Sequence, residues 1–206
     1  FDFVLNYVEI VNETDLNHQL GILKRTKPIG KDELFKDLLD ESNVVFGPGT
    51  ILVKTESLKK AIPDLDIYEG REGQNWQLML PLAYCCSVGY LDEVLFKYVV
   101  HTDSHSHTKR TLEQEYKRRD NFYKLQCETI DKIGTMQKNE KEYWKNYALT
   151  RSILTKYRMA IYYHNFLESV KKQSELKERG VKILWKDGFL SHHFRIITRR
   201  IKEIVG

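Results

Sequence analysis

The chain has 206 residues and is 41% hydrophobic, enough for one domain or for a domain with an appendage. Its net charge of +4 hides an asymmetry: residues 1–107 carry 10 basic and 17 acidic residues, and residues 108–206 carry 23 and 12. No run of 18 apolar residues occurs, so no membrane-spanning helix is expected, and bases spread over helices behind an acidic front half argue against a nucleic-acid partner.

Phe1 opens directly on a strand-like segment, with neither a signal peptide nor an initiator Met, so the chain reads as a fragment or an excised domain. Phe1 to Val11 is β-branched and aromatic and predicts a strand buried on both faces. Residues 12–30 have no clear period and hold Pro28 and two glycines, which predicts a loop. Leu34, Phe35, Leu38 and Leu39 then recur at helical spacing and predict an amphipathic helix over 31–41. Val44 to Lys54 reads as a strand interrupted by Gly47-Pro48-Gly49, a break that implies a bulge or a close backbone approach to a ligand. Thr55 or Ser57 can cap a short helix through Ala61, which Pro63 ends.

The most distinctive stretch is Tyr68 to His107. Glu69-Gly70-Arg71-Glu72-Gly73 is too glycine-rich and charged for regular structure. Gln74 to Cys86 predicts a helix, with Pro81 expected to kink it or limit it to a few turns. Tyr90 to Val100 predicts an extended segment, followed by His101-Thr102-Asp103-Ser104-His105-Ser106-His107. After His107 the texture changes: apolar residues at steps of three, four or seven predict two long helices broken near Gly134, and a third from Ser191 to the end. Cys85, Cys86 and Cys127 form no CxxC pair, which points to reduced thiols and a cytoplasmic setting.

The ordered set formed by a charged loop, a helix with Trp76, Leu78, Leu80 and Leu82-Ala83, a Gly89-Tyr90-Leu91-Asp92-Glu93 strand and then Val100-His101 with Ser and His resembles family 2 glycosyltransferases of the GT-A fold. It is similar to their acceptor-side half and covers residues 1–107. The resemblance implies an α/β fold, a partial GT-A-type mixed sheet with flanking helices, followed by a basic helical extension over 108–206. It implies a hexosyltransferase, inverting, that moves a sugar from a nucleotide-sugar donor to a glycan or lipid-linked acceptor in cell-surface polysaccharide synthesis. It also implies a divalent metal, Mg or Mn, whose main ligands belong to a donor half expected upstream of Phe1.

Aligning on Trp76 places Gln74 and Asn75 where the family has its Glu-Asp pair, and Gln77 at a following acid. Amides cannot accept a proton at neutral pH, so Glu72 is the nearest carboxylate for the catalytic base, with Glu69 second, unless both are loop surface charges. Gln74, Asn75 and Gln77 would instead hold sugar hydroxyls; the alternative is a polar helix start. His101, and after it His105, would reach the metal or the diphosphate, or His101 is structural. Asp64-Leu65-Asp66 lies on the wrong side of the preceding strand for the donor metal and reads as a solvated turn.

In residues 191–206, Arg195, Arg199, Arg200 and Lys202 alternate with Phe194, Ile197, Ile201 and Ile204. Such a helix either lies on an anionic membrane surface, giving a peripheral position at the inner face, or packs its Ile side inward. That keeps a second function open: a non-catalytic helical module that binds a membrane or a partner.

Overall fold

A computed structural model describes residues 1–25, 31–45, 48–67, 73–101, 110–184 and 187–188. The fold is mixed α/β. Its strands are β1 (Phe3–Asn12), β2 (Asp15–Leu23), β3 (Ile51–Val53) and β4 (Val88–Val100); its helices are α1 (Lys31–Asp40), α2 (Thr55–Ala61), α3 (Gln74–Cys85), α4 (Leu112–Lys132), α5 (Lys138–Tyr162) and α6 (Phe166–Glu178). Two compact units result. The first holds residues 1–109 and Phe122–Ala148; the second holds Arg110–Asn121 and the chain from Leu149.

In the first unit β1 is the central strand. Along one edge it pairs in parallel with β4, from Phe3 opposite Val88 to Asn12 opposite Val100. Along the other edge β3 pairs antiparallel with its first residues and β2 with its last. Every residue of β1 is buried or half-buried, in keeping with its apolar sequence. The register against β4 shifts on either side of Tyr7, where β4 contributes extra residues. Such bulges bend the strand that carries them and raise its local twist; the buried apolar residues of β1 are Phe3, Leu5, Val8 and Val11.

One core gathers Phe3 and Leu5 of β1, Leu34, Phe35, Leu38 and Leu39 of α1, Trp76, Met79, Leu80 and Leu82 of α3, and Phe122, Leu125 and Ile130 of α4. The four-residue stripe of α1 is thus buried as its spacing predicts. Two phenols lock α5 to this core: Tyr84 donates to Glu140 and Tyr147 to Asp40, each at 2.6 Å. In the second unit Ile153, Tyr157, Ile161 and Leu176 form their own cluster. Asn165 caps α6 by accepting from the Glu168 N–H, and Gly180, left-handed at φ 75°, closes its other end.

Several expectations are corrected. Residues 12–30 are not all loop, because Asp15–Leu23 forms β2. Almost every residue of β2 is exposed, so no alternation marks it; backbone pairing with β1 makes it a strand. The strand expected over 44–54 shrinks to Ile51–Val53 behind a turn of 3-10 helix at Pro48–Thr50. The close approach there is to a side chain, since a Cβ on Gly49 would overlap the Phe96 ring. α3, by contrast, forms where expected, running through Pro81 and ending at Cys85 after 12 residues. α6 has no counterpart among the expected helices, and His164, at φ 56°, lies in the turn before it. The helix expected from Ser191 lies outside the described residues. Cys85, Cys86 and Cys127 are free thiols, as their spacing implies. Among the described residues no helix is long and apolar enough to cross a membrane.

Candidate functional site

α3 starts abruptly. Gly73 precedes it at φ 76°, a left-handed conformation natural to glycine. Three residues on, Trp76 is buried; its indole N–H donates to the Leu38 carbonyl at 3.1 Å and its ring meets Phe122 edge-on at 4.9 Å. These contacts fix where the helix begins and so where Gln74 and Asn75 are held. Its first turn carries no acidic residue and no side-chain cap.

The residues expected at a site fall in different places. Glu72 and His105, like Glu69 and His107, lie outside the described residues. Gln74 opens α3, and Asn75 follows it, partly buried. Gln77 is buried and lines a cleft of about 160 Å³ together with Asp64, Asp66, Pro81, Thr129 and Lys132. Pro81 has no N–H to give to the Gln77 carbonyl one turn back. Lys132 crosses the cleft mouth to Asp66 at 3.0 Å. The Asp-x-Asp string is therefore an exposed turn, with Leu65 at φ 50° and one carboxylate already paired to a lysine.

His101 follows β4 directly. Its Nδ1 lies 2.7 Å from the Glu13 carboxylate, and Glu13 in turn follows β1. By sequence Glu13 falls in a loop and has no assigned role. Its one signal is a carboxylate immediately after a strand; the parallel register that brings it to His101 is not written locally.

Further down the same two strands Tyr7 and Tyr90 pack at 5.6 Å. The hydrogen bond from Tyr7 to Asp92 raises the Tyr7 phenol, and burial pushes the Tyr90 phenol up to about 12. Both stay protonated near neutrality, and Tyr7 donates to Asp92. At the base of the sheet the Asp2 carboxylate accepts from the Ser87 N–H and hydroxyl, each at 2.7 Å, and from the Ser57 hydroxyl at 2.9 Å. Those donors hold its pKa well below the usual carboxylate range and tie the starts of β1, α2 and β4 together.

The described residues gather no group of three or more His, Cys, Asp or Glu side chains, so they do not by themselves build a divalent-metal centre. Compared with protein-family models, curated proteins and solved structures, the chain finds no match.

Proposed function

We propose that the chain is the acceptor-side half of an inverting glycosyltransferase with the GT-A fold. Its substrates would be a nucleotide sugar and a hydroxyl of a glycan or lipid-linked acceptor. The observation that carries the reading is the pairing of β1 with β4. They are adjacent and parallel, α3 ends just before β4, and polar residues follow both strands. In α/β sheets, crevices beyond the carboxyl ends of parallel strands are where ligands bind. The sequence resemblance around Trp76 and His101 supplies the reaction class.

In this reading Gln74 and Asn75 hydrogen-bond acceptor hydroxyls. Asn75 cannot take the acceptor proton, which passes to a neighbouring base, Glu72 by its place in the sequence. The divalent Mg or Mn, which would offset the charge of the leaving diphosphate, depends on residues other than those described. Sugar transfer by the whole polypeptide that carries this chain, measured with a panel of nucleotide sugars and oligosaccharide acceptors, tests it. Transfer that falls at least tenfold in Asn75→Ala is the expected result. No transfer, together with no glycan bound by the 206-residue chain in saturation-transfer NMR, overturns it.

A further inference from the structure

The cleft beside α3 is built by three stretches of the first unit. α2 ends at Ala61, and two backbone bonds hold the turn that follows: the Ile62 N–H donates to the Leu58 carbonyl at 2.8 Å and the Leu65 N–H to the Ile62 carbonyl at 3.0 Å. That turn meets Gln77 and Pro81 of α3 and Thr129 and Lys132 of α4 around a space of about 160 Å³. A cavity of roughly 150 Å³ holds one six-membered ring. Gln77 stands about 200° round the helix from Asn75, at about 100° per residue, so the cleft and Asn75 lie on different faces of α3.

The lining selects among ligands. Ala61, Ile62, Pro63 and Pro81 give it an apolar side. Gln77 and Thr129 add buried polar groups, and the Thr129 hydroxyl, which donates to the Leu125 carbonyl at 2.8 Å, meets a ligand as an acceptor. Asp64, Asp66 and Lys132 stand at the exposed rim, with Lys132 reaching Asp66 at 3.0 Å. An anion entering would face two carboxylates. A cation pairing with Asp64 would sit beside the Lys132 ammonium. A hydrocarbon would strand the polar groups of Gln77 and Thr129 away from water. A neutral ring that carries hydroxyls avoids all three costs, because a hydroxyl donates to a carboxylate, accepts from an ammonium and rotates to suit either.

We propose that this cleft binds one neutral pyranose ring, as a glycan-binding site separate from the first turn of α3. Asp64 accepts from the ring hydroxyls, Lys132 donates to them, and the C–H face of the sugar covers Ile62, Pro63 and Pro81. The site goes beyond the glycosyltransferase reading and does not require it: in a transferase it holds a glycan at a second point, and without transfer it remains a sugar site.

Proton–nitrogen NMR titration of the 206-residue chain tests this. The probes are methyl glycosides of glucose, galactose, mannose and N-acetylglucosamine, with glucuronate and cyclohexylammonium as charged counterparts. At least one glycoside should shift the amides of Asp64, Gln77, Thr129 and Lys132 saturably. Both charged probes should bind more weakly than that glycoside. Asp64→Ala and Lys132→Met should each weaken its binding about tenfold, the worth of a hydrogen bond to a charged group. Their melting temperatures should be unchanged, because the residues are exposed and a surface ion pair adds little. Lys124→Ala, exposed on the same helix, should leave the affinity as it is. No saturable shift with any glycoside, shifts that avoid the cleft, tighter binding of a charged probe, or full affinity in either rim variant overturns the proposal. Transfer by the whole polypeptide is measured separately, so either reading can fail without the other.

Discussion

Gly73→Ala tests how the start of α3 is set. Gly73 sits at φ 76°, and a Cβ there would come within 2.7 Å of Leu125 Cδ2 and 2.9 Å of the Trp76 ring. Neither neighbour can retreat cheaply. Leu125 is buried, and Trp76 is held by the Leu38 carbonyl and the Phe122 ring. The left-handed backbone costs an L residue about 1–2 kcal/mol. Displacing packed side chains adds about 1–3 kcal/mol, so the total should be about 2–5 kcal/mol.

Two other glycines separate these terms. Gly180 has φ 75° with nothing within 4 Å of where a Cβ would stand, so Gly180→Ala carries the backbone cost alone. Gly134 also has open space and no left-handed backbone, and its Ala variant should stay within about 0.5 kcal/mol of the wild type. Urea unfolding followed by tryptophan fluorescence and circular dichroism measures all three, with Gly180 read in the transition of the second unit and the others in that of the first. If Gly73→Ala costs no more than Gly180→Ala, the clash with Trp76 and Leu125 does not exist and α3 is not anchored as described.

Trp76→Phe keeps a ring against Phe122 but removes the indole donor from the Leu38 carbonyl, which retains the Glu41 N–H at 3.3 Å; the loss of one hydrogen bond, about 0.5–1.5 kcal/mol, is expected in urea midpoint experiments. Arg25, only 2% exposed, pairs with Asp37 at 2.8 Å, so Arg25→Met should cost about 3–5 kcal/mol while Arg25→Met with Asp37→Leu recovers most of it in a double-mutant cycle. Asp2 contributes through a pKa held below its unfolded value of about 3.8. Its stabilising effect is therefore complete above that value and lost as pH falls through the lower folded pKa. The stability gap between wild type and Asp2→Ala, measured by thermal melts, should be constant from pH 7 to 5 and narrow below about pH 4. A gap that widens with acid would reverse the sign of this reasoning.

How far the fold could be read depended on whether burial or pairing made each element. α1 was legible because its stripe of Leu34, Phe35, Leu38 and Leu39 records the core it faces. α2 was legible from Pro63, which follows its end, but the cap expected from Thr55 or Ser57 does not form: Lys54 precedes the helix with no side-chain cap, and Ser57 donates to Asp2. β2 was not, because a strand exposed along nearly its whole length leaves no alternation to find. The 44–54 segment misled for the opposite reason. Val44, Val45, Ile51 and Val53 are apolar because they are buried or meet the core, yet only three residues of the segment join the ladder.

The candidate site divides along the same line. His101 could be singled out because it follows a strand that the sequence shows. Glu13 could not, because 88 residues separate it from His101 and only the parallel register of β1 against β4 makes them neighbours. Gln77 shows the converse. Counting from Trp76 marks it as a hydroxyl-binding amide, but the same count places it further round α3, where the helix turns inward, and it is 8% exposed beside Thr129 and Lys132. An amide buried there serves its cleft first. Asn75, two residues earlier and only partly buried, keeps the access that a sugar hydroxyl would need. Asn75→Ala should therefore reduce transfer without loss of stability, whereas Gln77→Ala should lower stability, by about 1–3 kcal/mol if a buried partner is stranded. Equal losses of stability in the two variants would erase the distinction between an amide that faces substrate and one that belongs to the core.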